Sequence, residues 1–329
     1  MKKTVKTMLE NKGRTLPILS FPSVQLLGIS VRELISSSEM QVKGMQAVAE
    51  RCPMAASLNM MDLSVEAEAF GCTVRVTEDE VPTVEKGVLE SISEVEAMQV
   101  PAVGAGRTSL YIEGVRKAVE TISDRPVFCG VIGPYSLAGR LFDMTELMME
   151  CYDSPEEVAL LLEKVTDFLI AYVKAFKEAG AQGVMMAEPA AGLLSPDLAE
   201  EFSTPYVKKI FDAVNSEDFV LCYHNCGGAA AKMAEQFATL PADIYHFGNA
   251  VEMKELLDTL PADRLVLGNL DPLILAGATP AEVRAELVRI HETYGNYPNF
   301  VLSSGCDIPP QAKWENIDAY FETVKEIYG

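Results

Sequence analysis

The chain has 329 residues, with 27 Lys+Arg against 48 Asp+Glu and a formal net charge of −21 at pH 7. Hydrophobic residues make up 49% and charged residues 23%, which excludes a disordered polymer and predicts a large folded core. The acidic excess argues against nucleic-acid binding, which needs clustered Lys and Arg, and against adhesion to anionic membranes; no apolar run reaches the length of a spanning helix.

Along the chain, residues 1–14 are basic, but no apolar segment follows them, so a secretory signal is not expected. Short apolar runs then recur at residues 16–21, 55–61, 127–132, 183–187, 219–223, 244–247, 265–267 and 300–303. Amphipathic stretches separate them. Residues 155–178 keep Val158, Leu161, Leu162, Val165, Phe168, Leu169, Val173 and Phe176 at helical spacing. Ser154 and Glu157 suggest a capping box at its start, and Gly180 a stop. Residues 279–294 repeat the design, with Pro280 at the first helical position and Gly295 at the end.

Eight runs alternating with helices predict an α/β protein, a (β/α)8 TIM barrel occupying residues 1–329 as one domain. Residues 73–125 exceed one crossover and read as an insertion after the second strand, with an extra strand at 74–76 and a helix at 111–123. An open doubly wound sheet is the alternative, but it would carry an early Gly-rich nucleotide loop; Gly104-Ala-Gly106 lacks both the third glycine and a preceding strand.

In parallel barrels the chemistry sits at the carboxyl ends of the strands. Just past the runs come Asp62, Glu188, His224 with Cys226, Asn249, Asp271, and Cys306 with Asp307. The strongest local pattern is Cys222-Tyr-His224-Asn-Cys226-Gly-Gly228. Alternate side chains on an extended segment point the same way, so His224 and Cys226 can face one metal ion. Cys306, in Ser303-Ser-Gly-Cys306, sits at another strand-to-loop junction. One imidazole and two thiolates make a three-ligand zinc site with a fourth position open. The competing reading is a pair of small buried thiols beside a hydrogen-bonded rim histidine.

Glu188, in Met185-Met-Ala-Glu188-Pro, reads as a fourth ligand, a substrate contact or a helix cap. Asp62 reads as a catalytic carboxylate or the cap of the following helix. His246 reads as structural or pocket-lining, Cys222 as barrel-lining, and His291 as packing or surface. The seven cysteines are odd in number and scattered. A disulfide framework is therefore not expected, and a reducing cytoplasm is the expected compartment.

Several segments carry a family resemblance: residues 62–71, Gly133-Pro-Tyr-Ser-Leu-Ala-Gly139, residues 187–196, His224-Asn-Cys226-Gly-Gly and Gly305-Cys306. Over nearly its whole length the chain resembles the uroporphyrinogen decarboxylase superfamily, and most of all its zinc-dependent methylcobamide:thiol methyltransferases. The resemblance implies a (β/α)8 barrel with Zn2+ on His224, Cys226 and Cys306. It further implies a methylated corrinoid as methyl donor, carried by a partner corrinoid protein, and a small thiol such as coenzyme M as acceptor. Glu188 and Asp62 are then the catalytic candidates, with Asn249, Asp271 and His246 near the cofactor. A decarboxylase acting on a tetrapyrrole is the alternative. The early arginine-rich clamp of the decarboxylases is missing from Leu19-Ser-Phe-Pro-Ser-Val-Gln-Leu-Leu-Gly28, although Asp62 matches their carboxylate. A non-catalytic, zinc-stabilised barrel is the third reading.

Overall fold

A computed structural model describes residues 1–329. Seven strands form one parallel sheet in the order β1 (Ser57–Leu58), β4 (Val127–Ile132), β5 (Gly183–Ala187), β6 (Val220–Asn225), β7 (Ile244–Phe247), β8 (Leu265–Leu270) and β9 (Phe300–Ser304). Two further strands, β2 (Thr73–Arg75) and β3 (Thr83–Lys86), form a separate antiparallel hairpin. That hairpin and the helix Thr108–Thr121 lie between β1 and β4 in the chain, close to the strand and helix expected in residues 73–125.

The expected first strand differs. Residues 16–21 are buried but form no ladder. Serine and threonine side chains take the place of ladder bonds: Ile18 N–H donates to Ser304 Oγ (3.0 Å), Ser303 Oγ donates to the Leu16 carbonyl (2.9 Å), and Thr15 donates to the Leu302 carbonyl. On its other side Thr15 O accepts from Ala55 N (2.8 Å). This segment therefore lies between β9 and the residues leading into β1, and the sheet curls in the manner of a TIM-like barrel. The apolar pattern was visible in sequence; the replacement of a ladder by hydroxyls was not.

Alternation along the strands sorts the core into two parts. Leu58, Phe128, Met185, Val220, Cys222, Ile244, Leu265, Leu267 and Val301 point into the sheet's concave interior, where Val5 and Met8 of the helix Lys3–Glu10 join them from the amino-terminal end. The intervening residues pack outward against the helices in a second cluster of 85 residues. Cys222 is fully buried in the interior cluster, as a barrel-lining residue should be. All seven cysteines are free.

The helix Pro155–Glu178 has the expected bounds and stops through Gly180, whose φ of +99° suits glycine. Ser154 does not cap it: its side chain accepts no bond there, because its backbone already closes the preceding helix Met144–Asp153. The capping box expected of the design does form at Thr279 and Glu282 on the helix Pro280–Tyr294. No helix is long and apolar enough to cross a membrane.

Candidate metal centre

The residues that end β6, β7 and β9 build the centre. His224 lies in β6 itself, paired in register with Ala187 of β5 and His246 of β7. The strand thus runs further than the expected 219–223. It carries the His224 imidazole inward, on the same parity as Cys222 and one layer nearer the carboxyl end. Cys226 follows at the strand's exit, and Cys306 follows β9. The ligand atoms of His224, Cys226 and Cys306 all lie within 4.8 Å of one another, although Cys306 is remote in sequence. Cys306 Sγ is 3.7 Å from His224 Nε2, close to the roughly 3.5–3.8 Å edge of a tetrahedron with Zn–S near 2.3 Å and Zn–N near 2.1 Å. His224 is buried, while both thiols are partly exposed.

The His-Asn-Cys-Gly-Gly segment has a local physical reason. Asn225 Nδ2 donates to the Glu188 carbonyl (2.9 Å), and its Oδ1 accepts from Gly227 N–H (2.9 Å), which turns the chain sharply after Cys226. Gly227 then meets Gly192 backbone to backbone; a Cβ on Gly227 would lie 2.5 Å from the Gly192 Cα. Gly248 lies equally close under Cys226, 2.6 Å from its Cα by the same test. Asn269 steadies that loop by donating to the carbonyls of Gly248 (3.1 Å) and Val251 (3.0 Å).

The two thiols act on each other: the neighbouring Cys306 thiol lowers the pKa of Cys226, while the Cys226 thiol and burial raise that of Cys306. A pair of neighbouring thiols suits a divalent cation, whose charge stabilises both as thiolates. The donor set, its spacing and its position on the carboxyl rim therefore fit zinc.

The carboxylates stand elsewhere. Glu188 is fully buried and turned onto the amino terminus of the helix Pro134–Leu141. One oxygen accepts from Tyr135 N (2.9 Å); the other accepts from Ser136 N (2.7 Å) and from the Ser136 hydroxyl. Of the readings open in sequence, the cap matches this geometry, and Glu188 is outside the cluster of ligand atoms. Burial raises its pKa to about 7 against those donors.

Asp62 is also buried and fully engaged. Its Oδ2 accepts from Arg107 Nη1 (2.5 Å) and Tyr111 OH (2.9 Å), and its Oδ1 from Ser64 N (3.0 Å) and Ser64 Oγ (2.6 Å). Asp271 turns back on its own loop to accept from Leu273 N (2.9 Å), and Asn249 is exposed at the rim beside Gly305.

His246 touches the centre directly. Its Nδ1 lies 2.9 Å from His224 Nδ1, and its Nε2 lies 3.1 Å from Ser303 Oγ. Ser303 and Arg107 were not singled out in sequence. The inward parity of Ser303 on β9, two residues beyond Val301, was the signal available for the first. Nothing local marked the second. Asp307, beside Cys306, has a buried oxygen without a partner, and burial pushes its pKa well up.

A curled parallel sheet with helices outside and a His-x-Cys pair meeting a distant cysteine at its carboxyl rim defines a TIM-like α/β protein with a cluster that could hold a metal ion. The chain belongs to the uroporphyrinogen decarboxylase (URO-D) family, whose model matches residues 18–327. It is 28% identical over 277 residues to a methylcobamide:CoM methyltransferase of Methanosarcina acetivorans, covering 80% of this chain and 77% of that one. It is 26% identical over 334 residues to a uroporphyrinogen decarboxylase of Hydrogenovibrio crunogenus, covering 97% and 92%. A solved methyltransferase from Methanosarcina mazei shares the fold with a TM-score of 0.86 at 24% identity, over 99% of each chain.

Proposed function

We propose that this chain is a zinc-dependent methyltransferase that moves a methyl group from a methylated corrinoid, delivered by a partner corrinoid protein, to a small thiol such as coenzyme M. The observation that carries the reading is the convergence of His224, Cys226 and Cys306. The methyltransferases among the relatives support it. With residues 15–21 counted as the eighth stave, the sheet reads as a complete (β/α)8 barrel.

In this reading His224, Cys226 and Cys306 would hold the metal. When bound, zinc supplies Lewis acidity that keeps an acceptor thiol, ordinarily protonated near pH 7 with a pKa of about 8.5, in its nucleophilic thiolate form. The chain's own contribution is positional. The β6 register aims the imidazole, Asn225 and Gly227 set the turn that presents Cys226, and Gly248 leaves room beneath it. Glu188 and Asp62 hold the surrounding elements, the first through the helix Pro134–Leu141 and the second through Arg107 and Tyr111.

The test is metal analysis combined with turnover. The purified protein should carry about one zinc per chain and demethylate methylcobalamin, followed by absorbance, with at least one thiol of a panel. Cys226→Ala should lose zinc and activity while its circular dichroism stays that of the parent. Zinc-loaded protein inactive with every thiol would remove the methyltransferase reading, and a chain that takes up no zinc would favour the decarboxylase one. Unfolding of Cys226→Ala would favour a purely structural metal.

A further inference from the structure

We propose that Ser303 and His246 form a positioning relay that fixes the tautomer of His224, so that a bare Nε2 lone pair faces the two thiols. The proposal rests on reading His224, Cys226 and Cys306 as a metal site, and concerns residues that do not themselves ligate.

The Leu16 carbonyl can only accept, and Ser303 Oγ lies 2.9 Å from it. A serine hydroxyl has one proton, so that proton is committed to Leu16. Toward His246 Nε2, 3.1 Å away, Ser303 Oγ can then only accept, and His246 must carry its proton on Nε2. His246 is fully buried with no carboxylate in contact, so it is held neutral with a single ring proton. Its Nδ1 is therefore an acceptor.

That acceptor lies 2.9 Å from His224 Nδ1, which must donate to it. A second group gives the same answer independently. The backbone carbonyl of His246, which again can only accept, lies 3.1 Å from the same His224 Nδ1. His224 thus carries a proton on Nδ1, shared between two acceptors, so that the neutral imidazole turns its Nε2 lone pair to the side of Cys306. Metal-ligating histidines are commonly oriented through their other ring nitrogen in this way.

The placement explains why the relay is shielded. His224, His246 and Ser303 are inward positions on β6, β7 and β9, and each is buried to within 2% exposure. Beneath them the interior is apolar: Cys222, Ile244, Leu267 and Val301 offer no strong competing donor or acceptor. The relay ends on the segment that has hydroxyl bonds in place of a ladder. Ser303 thereby serves both the sheet's closure and the imidazole's orientation.

The experiment has a spectroscopic arm and an affinity arm. Long-range 15N–1H spectra of the metal-free full chain, labelled at histidine, should show His224 protonated on Nδ1 and His246 on Nε2. Ser303→Ala should shift His246 away from its single tautomer. In competition with a chromophoric chelator, Ser303→Ala and His246→Phe should each weaken zinc binding about tenfold or more, within the roughly 10- to 100-fold range for partners of ligands. Ser303→Ala should add nothing in the His246→Phe background, because the two act in series. Ser303→Thr, which keeps the hydroxyl, should restore affinity and the tautomer.

An Nε2-protonated His224 in the parent spectrum overturns the relay. So does unchanged zinc affinity in Ser303→Ala, or full additivity in the double variant. A parent chain that binds no zinc overturns the metal reading instead, and the spectrum then decides the relay by itself.

Discussion

Asp62 separates a structural carboxylate from a chemical one, and the geometry predicts the former. The Asp62 side chain has 0% exposure, and the Arg107 guanidinium it holds has 12%. Asp62→Ala removes four accepted bonds at once and leaves Arg107 with one carboxylate, Glu68, at 2.5 Å and 31% exposed, and a hydrogen bond to Ser64 Oγ (2.8 Å). Deleting one partner of a buried pair costs about 3–5 kcal/mol, because the other charge stays desolvated. The surviving Glu68 contact places the expected loss near the lower end, about 3 kcal/mol. Tyr111→Phe, which deletes a single hydrogen bond to the charged acceptor, should cost about 1.5–3 kcal/mol. At roughly 2–4 °C per kcal/mol for chains somewhat shorter than this one, Asp62→Ala should melt about 5–10 °C below the parent. The assay is thermal and urea unfolding by circular dichroism, run beside zinc stoichiometry and methyl transfer. Asp62→Ala with parental stability, full zinc and no activity would contradict a structural role and return Asp62 to a chemical one.

Gly227→Ala should destabilise the fold and weaken zinc binding together, since the new methyl would lie 2.5 Å from the Gly192 Cα and backbone cannot swing aside as a side chain can; equal melting temperature and equal chelator competition would contradict this. Cys306→Ala should drop bound zinc well below one per chain while leaving the far-ultraviolet spectrum unchanged, because the thiol lies at the rim and outside both apolar clusters. Glu66 predicts a pH effect of definite sign. Burial raises its pKa in the folded chain to about 7, above the roughly 4.3 of an exposed glutamate. Between those values the native state holds a proton that the unfolded state has released, so stability from this group is full below the window and falls as pH rises through it. Glu66→Gln keeps an acceptor for the Ile132 N–H, which now donates at 3.0 Å, and should flatten urea-unfolding stability across that window; an unchanged slope would show that Glu66 does not titrate there.

Much of the fold was legible because its signals are local. Apolar runs at residues 127–132, 183–187 and 244–247 coincide with strands β4, β5 and β7, since a strand buried on both faces reads as an unbroken hydrophobic stretch. The helix Pro155–Glu178 was equally plain from its spacing. Residues 16–21 had the same apolar look, yet bond to the side chains of Ser303 and Ser304 where a ladder would run. Periodicity reports burial, and does not report which donor satisfies a backbone carbonyl. Ser154 failed as a cap for a related reason: the helix before it had already claimed its backbone.

The site divides along the same line. Residue types and strand parity alone set the chemistry on offer: a His-x-Cys pair whose parity places both side chains on one face, a glycine pair that lets the chain turn, and a cysteine at another strand end. It took the packing of distant strands to bring Cys306 to that pair, to turn Glu188 onto a helix terminus and Asp62 onto Arg107, and to set His246 between His224 and Ser303. Ligand type and strand parity are properties of neighbouring residues, whereas the partner of a buried polar group depends on which distant strands the curl of the sheet brings face to face.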